Sequence, residues 1–149
     1  MVIELLTKEE YGMLYDDLFY RKAVSHFEEK FQEVFGENLV LKNKCCSFER
    51  RGYFKLYYVY VPLNYAIIVE NERRIFSITI EDSEKAQNSL YRIEHFDNQL
   101  CGENIKKSVD LLEKVLKKNE FDFWVTKDGK LYRKRNNVLK RVKDIGELM

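Results

Sequence analysis

The chain reads as an α+β protein: N-terminal helices packed on an antiparallel β-sheet, then one later amphipathic helix and a C-terminal β-hairpin ribbon. Three observations predict this. A capping signal, "TKEE" at 7–10, opens a stretch with helical spacing of apolar residues that runs to Gly36. From 38 to 80 the apolar period shortens to two, with turn signals between runs rich in Val, Ile, Tyr and Phe. A second helical stripe at 104–118 is followed by two hairpin signals.

In the first segment Thr7 is the expected N-cap, with Glu10 completing the capping box. Tyr11, Leu14, Tyr15 and Leu18 then share one helical face, while Tyr20, Val24, Phe27, Phe31, Val34 and Phe35 share another. At about 100° per residue these stripes point in nearly opposite directions. A single straight helix would need burial on both sides, so two helices, or a break between Asp16 and Arg21, are expected.

In "SFERRGYFKLYYVYVP", Arg51-Gly52 is a turn signal between two β-rich runs. Residues 53–61 put Tyr53, Tyr57, Val59 and Val61 on one side and Phe54, Leu56, Tyr58 and Tyr60 on the other. Apolar character on both faces predicts a central strand covered on both sides. The functional alternative leaves one tyrosine face open as a binding surface. "YAIIVE" and "RRIFSITI" read as a hairpin around Asn71-Glu72. Phe76, Ile78 and Ile80 alternate with Ser77 and Thr79, so one face is buried. This makes a meander of about four strands. "EDSEKAQNS" reads as a polar loop with room for one helical turn, and "LYRIEHF" fits strand or helix.

The helix at 104–118 carries Ile105, Val109, Leu112 and Leu116 on one stripe. Lys117 and Lys118 suit its C-terminal dipole, and Asn119 is its stop. Asp128-Gly129 and Asn136-Asn137 then separate strands at 121–126, 130–135 and 138–142. "KDIGELM" reads as a terminal helical turn. Phe27, Phe31, Leu56, Ile78, Leu112 and Phe123 are the expected core.

A length of 149 residues implies one domain, 1–149, long enough to bury a core without staples. Hydrophobic residues at 45% and charged residues at 34% place it among globular chains. The net charge of +1 argues against a dedicated polycation and against wholesale mimicry of DNA. It is unevenly spread. Residues 1–100 hold 13 Lys and Arg against 17 Asp and Glu, a sum of −4; residues 101–149 hold 13 against 8, a sum of +5. Cys45, Cys46 and Cys101 follow no framework spacing, so reduced thiols in a cytoplasmic protein are expected. "MVIELLTKEE" has too short an apolar run for a signal peptide, and no membrane partner is expected.

The concentrated feature is "KDGKLYRKRNNVLKRVK" at 127–143. Lys127, Lys130, Arg133, Lys134, Arg135, Lys140, Arg141 and Lys143 stand there against one acid, Asp128. Strand alternation puts these charges on both faces of the ribbon, and Tyr132 is the only aromatic among them. A solvent-facing charged edge explains such a pattern, because Lys and Arg on edge strands block unwanted pairing. Its expected functional use, if it has one, is electrostatic docking to an acidic protein surface, with Tyr132 included in the contact. Nucleic acid is the alternative partner, favoured when basic residues and stacking aromatics share one face. The other constellations are sparse. His26 and His95 are candidate general bases. His95 and Cys101 are a candidate activated pair that lacks a third orienting group. No CxxC or HxxxH spacing and no phosphate-binding glycine loop occurs, so no metal, cofactor or catalytic role is expected.

In size, helix-then-meander order and Lys/Asn/Tyr/Phe-rich composition, the chain resembles small proteins of bacterial mobile elements: toxin-immunity proteins and phage-encoded inhibitors of host defence. That resemblance implies an interaction protein that binds and neutralises a macromolecular partner. It assigns no role to any residue.

Overall fold

The computed structural model describes residues 8–143, with side chains from residue 16 onward. The expected N-cap Thr7, and the expected terminal turn beyond Lys143, lie outside the described residues.

Helix α1 (Lys8–Phe35) is one continuous element of 28 residues, which corrects the expected break between Asp16 and Arg21. The second stripe faces the core. Tyr20, Val24, Phe27, Phe31 and Phe35 are buried, joined by Ala23, while Leu18 of the first stripe stays 57% exposed. A helix without an internal proline keeps its hydrogen bonds whether or not its second face is covered. An isolated exposed Leu is a small penalty.

A 3₁₀ turn (Gly36–Asn38) leads into the sheet. Its strands are β1 (Leu39–Ser47), β2 (Tyr53–Tyr60), β3 (Tyr65–Glu72), β4 (Ile75–Glu81), β5 (Gln87–Ser89), β6 (Phe123–Lys127), β7 (Lys130–Arg135) and β8 (Val138–Arg141). They pair in sequence order, each antiparallel to its neighbours. The expected meander is therefore present, continued by the C-terminal strands.

Helix α1 packs on one face of this sheet through aromatic contacts. Phe27 meets Phe54 and Phe76 at ring-centroid distances of 6.1 and 5.2 Å, Phe31 meets Tyr58 at 4.7 Å, and Phe35 meets Tyr60 at 5.9 Å. Cross-strand register places Leu56, Val69 and Ile78 on that same face. Helix α3 (Gly102–Lys118) adds Ile105, Val109, Leu112 and Leu116 to the core. All six residues expected in the core are buried there.

β2 alternates strictly between buried and half-buried residues. Its second face, Tyr53, Lys55, Tyr57 and Val59, is half-buried and has no described helix over it. That corrects the expected cover on both sides: these side chains shelter one another and Ile68 instead. The same open face continues through Thr79 and Gln87 to Trp124.

Three two-residue hairpins have both central residues at positive φ, the turn whose twist matches paired strands. Asp128-Gly129 and Asn136-Asn137 are two of them, as expected. The third is Arg73-Arg74, two residues beyond the expected Asn71-Glu72. Asn71 is held inside β3, fully buried, where its Nδ2 donates to the Gly52 carbonyl at 3.0 Å. Gly52 is fixed twice over: φ is +73°, and a Cβ there would lie 2.0 Å from the buried Tyr20 ring.

The uncertain region 81–102 resolves into the short β5 and one helical turn, α2 (Leu90–Ile93), capped by Ser89 Oγ accepting from the Arg92 N–H at 3.2 Å. An irregular stretch then leads to α3. Asn119 ends that helix at φ 48°, its N–H donating to the Val115 carbonyl at 2.9 Å.

Candidate docking surface

β6–β8 form the basic ribbon. It joins the rest of the sheet through a single residue pair, Gln87 with Trp124. Side chains supply the remaining attachment. Phe123 packs on Tyr65 at 5.2 Å, and Asn88 Nδ2 donates to the Asp122 carbonyl at 2.7 Å. Lys134 Nζ lies 2.7 Å from Asp82 Oδ2 and 2.9 Å from Glu84 Oε2. Asp82 is itself held in place: its Oδ1 accepts from the backbone N–H groups of Glu84 and Ala86, both at 2.9 Å.

Lys134 thus leaves the expected contact set. It is 6% exposed, and its hydrogen bonds to Asp82 and then Glu84 hold its ammonium above the ordinary lysine pKa. Alternation along the strand placed Lys134 beside Lys130 and Tyr132, as observed. It could not show that Asp82 and Glu84, about fifty residues earlier in the chain, meet its ammonium there.

The other basic residues divide between the two faces, as the alternation predicted. Lys127, Lys130, Tyr132 and Arg141 share a face with Phe123; Arg133, Arg135 and Lys140 share the other with Trp124. Arg135 Nε meets Asp122 Oδ1 at 2.7 Å, and Arg133 Nε lies 4.0 Å from Asp122 Oδ2. Lys127, Lys130, Lys140, Arg141 and Lys143 are exposed and make no ion pair with any described carboxylate. Tyr132 is half-buried.

Trp124 was not among the expected contact residues, because it lies just before the basic stretch. A signal for it existed. A two-residue hairpin at Asp128-Gly129 pairs Lys127 with Lys130 and, counting back, Trp124 with Arg133. Arg92, which lines one depression with Trp124, has no comparable signal, since it comes from a distant part of the chain.

His95 stacks on Tyr91 at 4.6 Å, while Cys101 lines a cleft with His26 and Lys22 between α1 and α3. Cys45 and Cys46 project from opposite faces of β1, and all three cysteines are free and exposed. Among the described residues no cluster of three or more His, Cys, Asp or Glu side chains could hold a metal ion. No described helix is long and apolar enough to cross a membrane.

Comparison of the chain with protein-family models, curated proteins and solved structures finds no match.

Proposed function

We propose that this is a non-catalytic interaction protein that binds one macromolecule stoichiometrically and neutralises it, docking an anionic surface with β6–β8. The observation that carries this reading is the set of five exposed cations, Lys127, Lys130, Lys140, Arg141 and Lys143. They have no described carboxylate partner, on a ribbon whose other cations are matched by Asp82, Glu84 and Asp122. Unmatched charge of one sign steers an oppositely charged partner and raises its association rate. The open sheet face beside the ribbon adds aromatic area at Tyr53, Tyr57 and Trp124, the kind of side chain that anchors interfaces. The resemblance to immunity proteins and phage-encoded inhibitors agrees with binding of this kind in the cytoplasm. An acidic protein surface supplies the required charge, and so does nucleic acid.

The test compares immobilised wild type with a Lys130→Glu, Lys140→Glu, Arg141→Glu variant in host lysate, with and without nuclease. None of the three side chains has a described ion-pair partner, so the variant is expected to fold. Near-equimolar retention of one macromolecule by wild type alone is the expected result. Equal retention by both proteins would overturn the reading.

A further inference from the structure

Trp124, Arg133 and Lys140 are direct cross-strand neighbours on β6, β7 and β8. Their side chains therefore rise from one face in a row, at steps of about 4.8 Å. Three depressions adjoin along this face. The first, of 760 Å³, includes Gln87, Tyr91, Arg92 and Trp124 in its lining. The second, of 260 Å³, shares Arg92 and Trp124 with it and reaches Asp122 and Arg135. The third, of 360 Å³, shares Asp122 and Arg135 with the second and ends at Arg133 and Lys140. Because neighbours share lining residues, the three can serve together as one channel passing the tryptophan.

Five cations, Lys85, Arg92, Arg133, Arg135 and Lys140, line the channel against two carboxylates, Asp122 and Glu120; Lys85 is already paired with Glu81 at 3.3 Å. Asp122 meets both ribbon guanidiniums at Nε. A guanidinium has five donors, so the 2.7 Å contact orients Arg135, and both arginines keep other N–H groups for a phosphate. Trp124 is half-buried, and the Tyr91–His95 stack brings a second aromatic, 43% exposed at Tyr91, to the same channel.

We propose that this channel binds single-stranded nucleic acid, with a base stacked on Trp124 and phosphates on Arg92, Arg133, Arg135 and Lys140. The proposal rests on the ribbon being the docking element and names its partner. A cationic groove with aromatic platforms fits an unpaired strand, whose bases offer π-faces and whose backbone offers regular negative charge. Bases in a duplex are stacked on one another and cannot reach Trp124. An acidic polypeptide would satisfy the cations but present no comparable face to the tryptophan.

Trp124 is the only tryptophan in the chain, so tryptophan emission, excited selectively over the ten tyrosines, reports on this site alone. The titration uses oligothymidylate, an equivalent duplex and polyglutamate. Saturable quenching by oligothymidylate is expected, with a log–log salt slope of about −0.7 for each phosphate contact. Followed by anisotropy of labelled oligothymidylate, Trp124→Ala should weaken binding roughly tenfold, while Trp124→Phe retains most of it. Lys140→Glu should flatten the salt slope by about 0.7. Absence of quenching, equal binding of the duplex, or an equal response to polyglutamate would each overturn the proposal. If oligothymidylate fails while the charge-dependent lysate capture persists, only this inference falls. If that capture is also insensitive to charge reversal, the docking role of the ribbon falls with it.

Discussion

Replacing Lys134 by Met keeps the length of the side chain and removes its ammonium. Asp82, 9% exposed at the side chain, then loses the one cation paired with it among the described residues. Breaking a buried pair from one side costs about 3–5 kcal/mol when nothing compensates. Two features lower that figure here. Asp82 keeps two backbone N–H donors at 2.9 Å, and Glu84 is 66% exposed and rehydrates. We therefore expect a loss of about 2–3 kcal/mol in urea unfolding. Asp82→Asn in a double-mutant cycle should show coupling of about 1–2 kcal/mol with Lys134→Met. The loss should be uneven. β5 and β6 share one residue pair, so amides of β6–β8 should lose more hydrogen-exchange protection than those of β2–β4. The pH dependence has a definite sign. The folded-state pKa of Lys134 is raised, so its contribution is complete below the unfolded lysine value, about 10.4, and is lost as pH climbs through the folded value. On the alkaline side, wild type and variant should therefore converge only above the folded value. A loss under about 0.5 kcal/mol, or uniform loss of protection across the sheet, would refute the role of Lys134 as the tie between ribbon and sheet.

Three further outcomes are expected. Phe27→Ala, which removes a fully buried ring touching Phe31, Phe54 and Phe76, should cost about 3–5 kcal/mol in chemical denaturation. Gly52→Ala should cost at least about 1–2 kcal/mol, because a positive φ and the Tyr20 ring both oppose a Cβ; a neutral result in the same assay would deny that close packing. Tyr58 has its phenol pushed well above the ordinary tyrosine value, first by burial and then by Glu28. Ionisation is thus opposed in the folded state, and stability should begin to fall as pH rises past about 10. In a spectrophotometric titration one phenolate should appear together with unfolding, and Tyr58→Phe should remove that step.

Much of the architecture could be read from local patterns. The stripe Ile105, Val109, Leu112 and Leu116 and the two Asp/Asn-containing hairpins are encoded within a few residues, so their chemistry survives without the tertiary context. The continuity of α1 could not be read this way, because periodicity shows which faces are apolar and not which of them the fold covers. The same ambiguity applied to Tyr57 and Val59, whose face looks like core and is open. The position of Lys134 depends on Asp82 and Glu84, about fifty residues earlier in the chain. For the docking surface, the basic content of 127–143 was plain, and Trp124 followed from hairpin register. Arg92 joins them only through the packing of α2 beside the β5–β6 seam.

The most direct measurement is hydrogen exchange on the protein alone and on the complex recovered from lysate. Protection concentrated in β6–β8 and the adjoining edge of the open face, with α1 and α3 unchanged, is the expected result. Protection confined to the outer surfaces of α1 or α3, with the ribbon exchanging as freely as before, would contradict a ribbon-borne interface.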